Sequence, residues 1–418
     1  MAPISNLQSS SIQRLQRTLL GGMYASVALF AFPALTFAQD MKPLATQITY
    51  EKIGAYDVNR LNRILTTEFD AFDETKVSYT PAQNGVTLYR VTYPSVIPEK
   101  ANQPTMASGL IAIPDVSSKV LPMVSYQHGT VYGKQEVPSF LEQSYETRLM
   151  VAQFAGQGYV VIGADYFGKG TSAEKEGYVV MGSHQQACLD MYRASLFVLE
   201  KEGIQISDFF IAGWSQGGLV TMAFLEKLES VGVPVKAAST SSAPVDPSMA
   251  MLGFMNFPRP NDAGWTTILF ILSAFSFEEY YGLPGLAKAL FTDEMYDTAY
   301  KIYHNELTDP NAFPTDIKKL VRPEYFDAQY FLTSAYGRIL HDIHFYRWVI
   351  KTPTKMFYGE NDEVISVGLG QLAANYQRSI GAGNTKVEAI PAGPTTHRGT
   401  FAVAVREQKK WFDSLRSR

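Results

Sequence analysis

The sequence is poor in cysteine and in charge, and both shortages narrow the class of protein. The chain has 418 residues but one cysteine, Cys188, so an internal disulfide and a cysteine-based metal cluster are excluded. Charged residues make up 18% of the chain and hydrophobic residues 46%, which excludes a disordered protein. The net charge of -4 comes without a long run of like charges, so nothing predicts a nucleic-acid partner.

The N-terminal segment 1–38 lacks acidic side chains and predicts an export signal. Two arginines precede a mostly apolar stretch from Leu19 to Leu35, and small residues follow it. This order is typical of a secretory signal peptide, with cleavage after Ala38. An uncleaved membrane anchor is the alternative, but Gly21, Gly22 and Pro33 interrupt the apolar stretch and favour cleavage. We therefore expect an exported protein, periplasmic or extracellular.

Short apolar strands alternate with helices after this segment. Strands are predicted at 85–92, 106–113, 121–126, 159–164, 208–212, 235–239, 355–358 and 385–390, and helices at 148–156, 185–202, 217–228, 368–380 and 400–415. The alternation predicts an α/β fold with a mostly parallel sheet and helices on both faces.

A long insertion follows the sixth of these strands. It lacks a clear buried strand and contains helix-like segments at 266–280, 284–291 and 330–348. An insertion of about a hundred residues predicts a helical cap rather than a loop. The predicted domains are a signal peptide at 1–38, a lead-in at 39–79, a core at 80–245 and 347–418, and a cap at 246–346.

The strongest chemical motif is Gly213-Trp214-Ser215-Gln216-Gly217, which matches G-x-S-x-G. It directly follows the predicted strand 208–212 and opens the predicted helix 217–228. A serine at such a strand–turn–helix junction sits in a strained turn with its hydroxyl exposed above the sheet. This context predicts Ser215 as a nucleophile. The alternative is a structural turn with an idle serine.

A serine hydroxyl needs an adjacent base, and with this kind of turn the acid and then the histidine follow along the chain. Of the six histidines, only His397 lies beyond the last candidate acid, in the loop before the final helix. The acid is expected after strand 355–358, where Glu360, Asp362 and Glu363 compete. Asp362 is preferred, because it precedes an apolar pair, and it would fix the histidine tautomer and stabilise the imidazolium.

Attack by a serine on a carbonyl carbon turns the carbonyl oxygen into an oxyanion. Two backbone N–H groups are expected to stabilise it. One belongs to Gln216, directly after the serine. The other is expected in the turn after strand 121–126, from Gly129 or Thr130, and the sequence does not separate these two. His128, in the same turn, is predicted to be a structural hydrogen-bonding residue rather than a second base.

With these motifs, the chain resembles serine hydrolases of the α/β-hydrolase superfamily, and among them bacterial secreted lipase-like members. The likeness is carried by Ser125-Tyr126-Gln127-His128-Gly129-Thr130 with Val137-Pro138-Ser139, by Ala164-Asp165-Tyr166-Phe167-Gly168-Lys169-Gly170-Thr171, and by the turn Gly213–Gly218. It covers roughly residues 80–416, apart from the helical insertion. It implies hydrolysis of a small-molecule or lipid ester through an acyl-enzyme on Ser215, and it implies neither a metal nor an organic cofactor.

Weaker patterns leave alternatives open. His341 and His344 are spaced i, i+3, but without a third ligand we expect packing on a helix face rather than a metal site. The insertion is expected to lie above the mouth of the site as a lid, with transient contact to a lipid surface. The same triad would serve a serine peptidase, and a binding protein on a hydrolase scaffold is the non-enzymatic alternative.

Overall fold

A single sheet organises the part of the chain that the computed structural model describes, residues 47–381 and 386–417. Its strands are β1 (Thr49–Tyr56), β2 (Val86–Ile97), β3 (Gln103–Pro114), β4 (Val120–Gln127), β5 (Val160–Ala164), β6 (Gln205–Trp214), β7 (Ala237–Ser241), β8 (Thr354–Tyr358) and β9 (Val387–Pro391). They lie in the order β1-β2-β3-β5-β4-β6-β7-β8-β9. β1, β2, β3 and β5 pair antiparallel in succession, and every pair from β5 through β9 is parallel. The predicted α/β class with a mostly parallel sheet is confirmed.

Helices connect the strands and cover the sheet. The α-helices are α1 (Val58–Arg63), α2 (Tyr145–Phe154), α3 (Met181–Lys201), α4 (Gln216–Ser230), α5 (Pro247–Asn256), α6 (Thr267–Tyr280), α7 (Leu286–Leu290), α8 (Asp293–Tyr303), α9 (Ile317–Leu320), α10 (Ala328–Thr333), α11 (Ala335–Asp342), α12 (Val367–Gly370), α13 (Leu372–Ser379) and α14 (His397–Leu415). Short 3-10 or π-helical turns lie at Ile64–Glu68, Phe69–Ala71, Pro98–Lys100, Pro138–Gln143, Ala155–Gln157, Gly264–Thr266, Pro310–Ala312 and Pro323–Phe326.

All eight predicted strands are present, with shifted ends, and the sheet gains a ninth that the sequence did not reveal. β1 lies in the predicted lead-in 39–79. When β1 is counted, the insertion follows the seventh strand of the sheet instead of the sixth. β1 pairs only with β2, and most of its residues are exposed, so it lacks the apolar run of a buried strand. The predicted signal peptide lies outside the described residues, as does residue 385 of the last predicted strand.

The insertion between β7 and β8 carries helices α5 to α11. The helix predicted at 330–348 is wrong in extent, because a cap interrupts it. The hydroxyl of Ser334 accepts a hydrogen bond from Gly337 N–H at 3.0 Å and starts α11, which ends at Asp342. A serine in this position favours a new helix start over continuation of α10. The division of the chain at 246 and 346 stays a prediction.

Apolar side chains fill both faces of the sheet. α3, α4 and the insertion pack on one face, and α1, α2 and α14 pack on the other. Helix α6 is buried on almost all sides and joins the insertion to the core. Its Ser276 hydroxyl donates to Glu176 O and its Tyr280 hydroxyl donates to Lys175 O, each at 2.8 Å.

None of the helices in residues 47–381 and 386–417 has the length and apolar content needed to cross a membrane.

Two glycines allow α4 to start close to the turn after β4. β4 and β6 are parallel neighbours, and Gln127 pairs with Gly213. A Cβ on Gly217 would overlap the carbonyl oxygen of Gln127 and lie 2.5 Å from that of His128. A Cβ on Gly213 would overlap Gly217 O. Both obstacles are backbone atoms, so neither can move aside without moving a strand or a helix.

We expect Gly217→Ala to lower the free energy of unfolding by about 2–3 kcal/mol, because the added methyl overpacks a backbone contact. Gly253→Ala in α5 is the matched control, since a Cβ there meets nothing within 4 Å and glycine is the poorer helix former. Denaturant unfolding of both variants measures the difference. Equal effects of the two substitutions would contradict the close approach.

Candidate active site

Ser215 lies at the turn between β6 and α4 with a backbone conformation that L-residues rarely adopt. Its φ is 56° and its ψ is -125°. Such a conformation costs about 1–3 kcal/mol and persists only where the surroundings enforce it. Ser215 N–H donates to Ser241 O in β7 at 3.0 Å, and Ser215 O accepts from Gly218 N–H at 2.9 Å. The turn therefore holds the predicted nucleophile at the carboxyl end of a buried strand.

His397 contacts Ser215 and Asp362 at the same time. Its Nε2 lies 2.9 Å from Ser215 Oγ, and its Nδ1 lies 3.0 Å from each carboxylate oxygen of Asp362. The tautomer with the proton on Nδ1 donates to Asp362 and leaves Nε2 free to accept from the serine hydroxyl. All three side chains are buried. The three residues predicted as a triad thus form one hydrogen-bonded chain.

The surroundings of Asp362 favour its ionised form. Burial raises the pKa of this carboxyl, but attraction to His397 and hydrogen bonds from His397, Ser242 and Ile365 outweigh burial, so the pKa lies below its usual value. Ser242 Oγ donates at 2.6 Å, and Ile365 N–H donates at 2.8 Å. Val364 N–H adds a further bond at 2.9 Å.

The other two candidate acids lie elsewhere. Glu360 is exposed on the loop after β8. Glu363 reaches the histidine loop, but its carboxylate accepts the backbone N–H of His397 at 2.9 Å and leaves the imidazole to Asp362. The preference for Asp362 therefore agrees with the geometry, while Glu363 holds the start of α14.

Two further residues fix this arrangement, and the sequence motifs did not reveal them. Trp214 Nε1–H donates to His397 O at 3.1 Å, and its indole ring centre lies 5.0 Å from that of the imidazole. From the insertion, Arg259 donates to Asp362 O at 2.9 Å. The histidine and the acid are thus held by residues from β6 and from the insertion, contacts that depend on tertiary packing.

The turn after β4 lies directly beside the nucleophile. A Cβ on Gly129 would lie 2.9 Å from the Trp214 ring and 3.4 Å from Trp214 O. Gln216 is the first residue of α4, so its N–H has no acceptor in the preceding turn of helix. The predicted oxyanion residues from both chain segments are therefore adjacent.

The structure distinguishes between the two candidates for the second oxyanion donor, Gly129 N–H and Thr130 N–H. Gly129 N–H donates to Glu146 Oε2 at 2.8 Å and is already engaged. Thr130 N–H has no hydrogen-bond partner within the described ranges, and its side-chain hydroxyl lies 3.2 Å from that of Tyr178. Thr130 is thus the better placed candidate for the second oxyanion donor, beside Gln216.

Glu146, at the start of α2, is a buried carboxylate that no sequence motif indicated. Its Oε2 accepts from the Tyr126 hydroxyl as well as from Gly129 N–H. Burial raises the pKa of Glu146 to about 7, although these two hydrogen bonds and the charges of Arg398 and His397 lower it.

A small polar cavity lies behind the same turn. His128, His184, Lys169, Glu176 and Gln216 are among its lining residues. Burial lowers the pKa of His128 to about 4 and that of His184 to about 3, so both imidazoles are neutral at pH 7. His128 contacts the backbone oxygens of Gly129 and Asp165, which agrees with a structural role.

The pair His341 and His344 is not arranged as predicted. α11 ends at Asp342, so His344 lies beyond the helix and the two imidazoles do not share a helix face. Across residues 47–381 and 386–417, no group of three or more His, Cys, Asp or Glu side chains is placed to hold a metal ion.

Replacing Glu146 should change how stability depends on pH. Folding raises the pKa of this carboxyl from 4.5 to about 7, so the ionised group destabilises the folded state above pH 7 and the penalty disappears below pH 4.5. We expect Glu146→Gln to gain stability over the wild type as pH rises from 4 to 8, by up to about 3 kcal/mol. The other charged or titratable groups that interact with Glu146 are Tyr126 on β4, Tyr166 in the loop after β5, and Arg398 and His397 on α14.

Urea unfolding at a series of pH values measures this difference. Glu142→Gln is the control, because the side chain of Glu142 is 65% exposed. A difference between Glu146→Gln and the wild type that stays constant with pH would contradict the prediction.

Comparisons with known proteins bear on the fold. No family model and no curated protein sequence matches the chain. Among solved structures, it is similar to a candidate hydrolase from Legionella pneumophila, with a TM-score of 0.76 at 20% identity, covering 88% of this chain and 97% of that one. The rice cell wall degrading esterase LipA from Xanthomonas oryzae gives 0.72 at 19% identity, covering 88% and 98%.

Candida antarctica lipase A in its closed state gives a TM-score of 0.60 at 16% identity, covering 88% of this chain and 83% of that one. With the strand order and the parallel run of the sheet, these likenesses show that the chain has the α/β-hydrolase fold.

Proposed function

We propose that this protein is a serine carboxylester hydrolase that works through Ser215, His397 and Asp362 and an acyl-enzyme intermediate. The observation that carries the proposal is the hydrogen-bonded chain from Ser215 Oγ through the imidazole to the carboxylate, built on a strained turn. A nucleophile, a base in contact with it and an acid that orients the base are the parts that acyl transfer needs.

Acylation follows from this geometry. Ser215 Oγ attacks the ester carbonyl carbon while His397 Nε2 takes its proton, and Asp362 stabilises the imidazolium. The carbonyl oxygen becomes an oxyanion, for which the N–H groups of Gln216 and Thr130 are the proposed donors. The intermediate collapses as the imidazolium gives its proton to the departing alcohol oxygen, which leaves the acyl group on Ser215.

Deacylation uses the same residues in the same roles. A water molecule attacks the acyl carbonyl carbon and transfers a proton to His397 Nε2. When the bond to Ser215 Oγ breaks, this proton returns to Oγ, and the carboxylic acid is released. The ionised state favoured at Asp362 supports both steps, because each forms an imidazolium.

Ester rather than peptide hydrolysis is proposed because two of the similar structures are an esterase and a lipase by name. The substrate is then a small-molecule or lipid ester. We propose that the insertion acts as a lid that touches a lipid surface. Two apolar side chains at the ends of α5 support this, since Met249 is 53% exposed and Phe257 is 79% exposed. The insertion also contacts the loop of Asp362 through Arg259, so movement of the insertion would change the position of Asp362.

Export is proposed from the N-terminal sequence pattern, with periplasmic or extracellular residence after cleavage. N-terminal sequencing of the protein recovered outside the cytoplasm tests it, with Gln39 as the expected first residue. Recovery of the full chain in the cytoplasm would rule it out.

We expect the wild type to react with a fluorophosphonate probe and Ser215→Ala to lose all labelling, because the probe needs an activated serine. Ser195→Ala is a matched control that should label like the wild type, since Ser195 is a buried serine in α3 whose hydroxyl donates to Met191 O and not to the triad. A wild type that remains unlabelled would favour the binding-protein alternative.

A substrate panel separates the ester, lipid and peptide hypotheses. Nitrophenyl esters of increasing acyl length, soluble and emulsified, are compared with aminoacyl anilides. We expect turnover of the esters and none of the anilides. Replacing Met249 and Phe257 by serine should lower activity on emulsions only. Faster turnover of the anilides than of the esters would replace the proposal with a peptidase.

Asp362→Asn should lower kcat by about 10³–10⁴-fold, because an amide no longer holds the productive tautomer of His397. Glu360→Gln and Glu363→Gln keep the shapes of the other two acids, and we expect both to retain most of the activity. Ester hydrolysis by the three variants measures this. If kcat fell as far in Glu363→Gln as in Asp362→Asn, the assignment of Asp362 as the acid would be contradicted and Glu363 would be the better candidate.

A further inference from the structure

The turn after β4 is held by the loop that follows β5. The Tyr166 hydroxyl donates to His128 O at 3.2 Å, and Lys169 Nζ donates to Val131 O and Tyr132 O at 3.1 Å. Lys169 is itself buried and paired with Glu176 at 2.9 Å. These contacts restrain the carbonyl groups on both sides of Gly129 and Thr130, but none of them restrains an N–H group of the two.

Glu146 supplies the restraint from the opposite side. Its carboxylate accepts Gly129 N–H at 2.8 Å and the Tyr126 hydroxyl on the same oxygen. The residue is only 4% exposed, and it forms no ion pair in the part of the chain that the structure describes. The side chain therefore links α2 to the His128–Gly129 peptide group, one peptide group before the one that carries Thr130 N–H.

A carboxylate without a cation is a costly way to fill a buried space, since an apolar side chain of similar volume needs no desolvation of charge. What its ionised form adds, increasingly so above pH 7, is a charge-assisted acceptor, which holds a backbone N–H more firmly than a neutral one. Here that N–H belongs to Gly129, whose φ and ψ set the direction of the next peptide group, the one that carries Thr130 N–H.

We propose that Glu146 is a positioning residue of the esterase reaction, whose carboxylate holds Gly129 N–H so that Thr130 N–H faces the oxyanion. This rests on the proposed function. Within the described ranges, the side-chain hydrogen bonds of Glu146 go to Tyr126 and Gly129 and to none of the three triad residues. It acts through the Gly129–Thr130 backbone, and its effect belongs to the transition state, where the oxyanion exists, rather than to substrate binding.

Two substitutions test the role. Glu146→Met fills the space without a strong acceptor and should lower kcat by about 10–100-fold with KM little changed, because a donor is misdirected rather than removed. Glu146→Gln keeps an acceptor oxygen and should retain a third or more of the wild-type kcat. The inhibition constant of a trifluoromethyl ketone, which forms the tetrahedral adduct, should rise in Glu146→Met by the same factor as kcat falls.

Glu136→Met is the matched control. Its carboxylate also accepts two backbone N–H groups of this loop, from Tyr132 at 3.1 Å and Gly133 at 2.9 Å, but beyond Thr130. We expect its kcat to stay near that of the wild type. Circular dichroism and thermal unfolding establish that each variant is folded.

Three outcomes overturn the positioning role while the wild type remains active. They are an unchanged kcat in Glu146→Met, a loss that lies in KM alone, and a loss in Glu146→Gln as large as in Glu146→Met. If Glu146→Met does not fold, a kcat of Glu146→Gln below a tenth of the wild-type value overturns it. A wild type that neither hydrolyses esters nor reacts with the fluorophosphonate overturns the proposed function itself, and the positioning role with it.

Discussion

The close approach of the start of α4 to the turn after β4 is the contact on which the rest of the site depends. Only a glycine at 217 fits against the carbonyl of Gln127, and only a glycine at 213 fits against Gly217. This fit accompanies the strained conformation of Ser215 and places the start of α4, with Gln216, against the turn that carries Thr130. The position of Ser215 thus depends on two missing side chains.

The histidine and the acid are positioned in a different way, by bonds from several elements. Trp214 holds the backbone oxygen of His397, Glu363 holds its N–H, and Arg259 from the insertion holds the backbone oxygen of Asp362. The Trp214 bond contributes on the order of 1 kcal/mol, and the two bonds with a charged partner, Glu363 or Arg259, contribute about 1.5–3 kcal/mol each. Together they leave the imidazole little freedom, so the insertion is part of the support of the site.

The sequence predicted the parts that local pattern encodes. Buried parallel strands are continuous apolar runs, and the glycines around Ser215 indicate a turn that few other residues fit. Both the strands and this turn could therefore be predicted from the sequence. β1 escaped because an exposed edge strand has no such run. Glu146 and Arg259 could not be predicted from the sequence, because their roles depend on how a helix and an insertion pack against distant loops. Spacing along the chain does not encode this packing.

The contact between His397 and Ser215 joins residues 182 positions apart, and α14, the last helix, begins at this histidine. Synthesis therefore places the proposed nucleophile in the chain well before its proposed base. Contacts so distant along the chain form late, because the intervening loop must close first. A nascent or partly folded chain therefore carries Ser215 without its proposed base, and we expect no hydrolysis until α14 has docked.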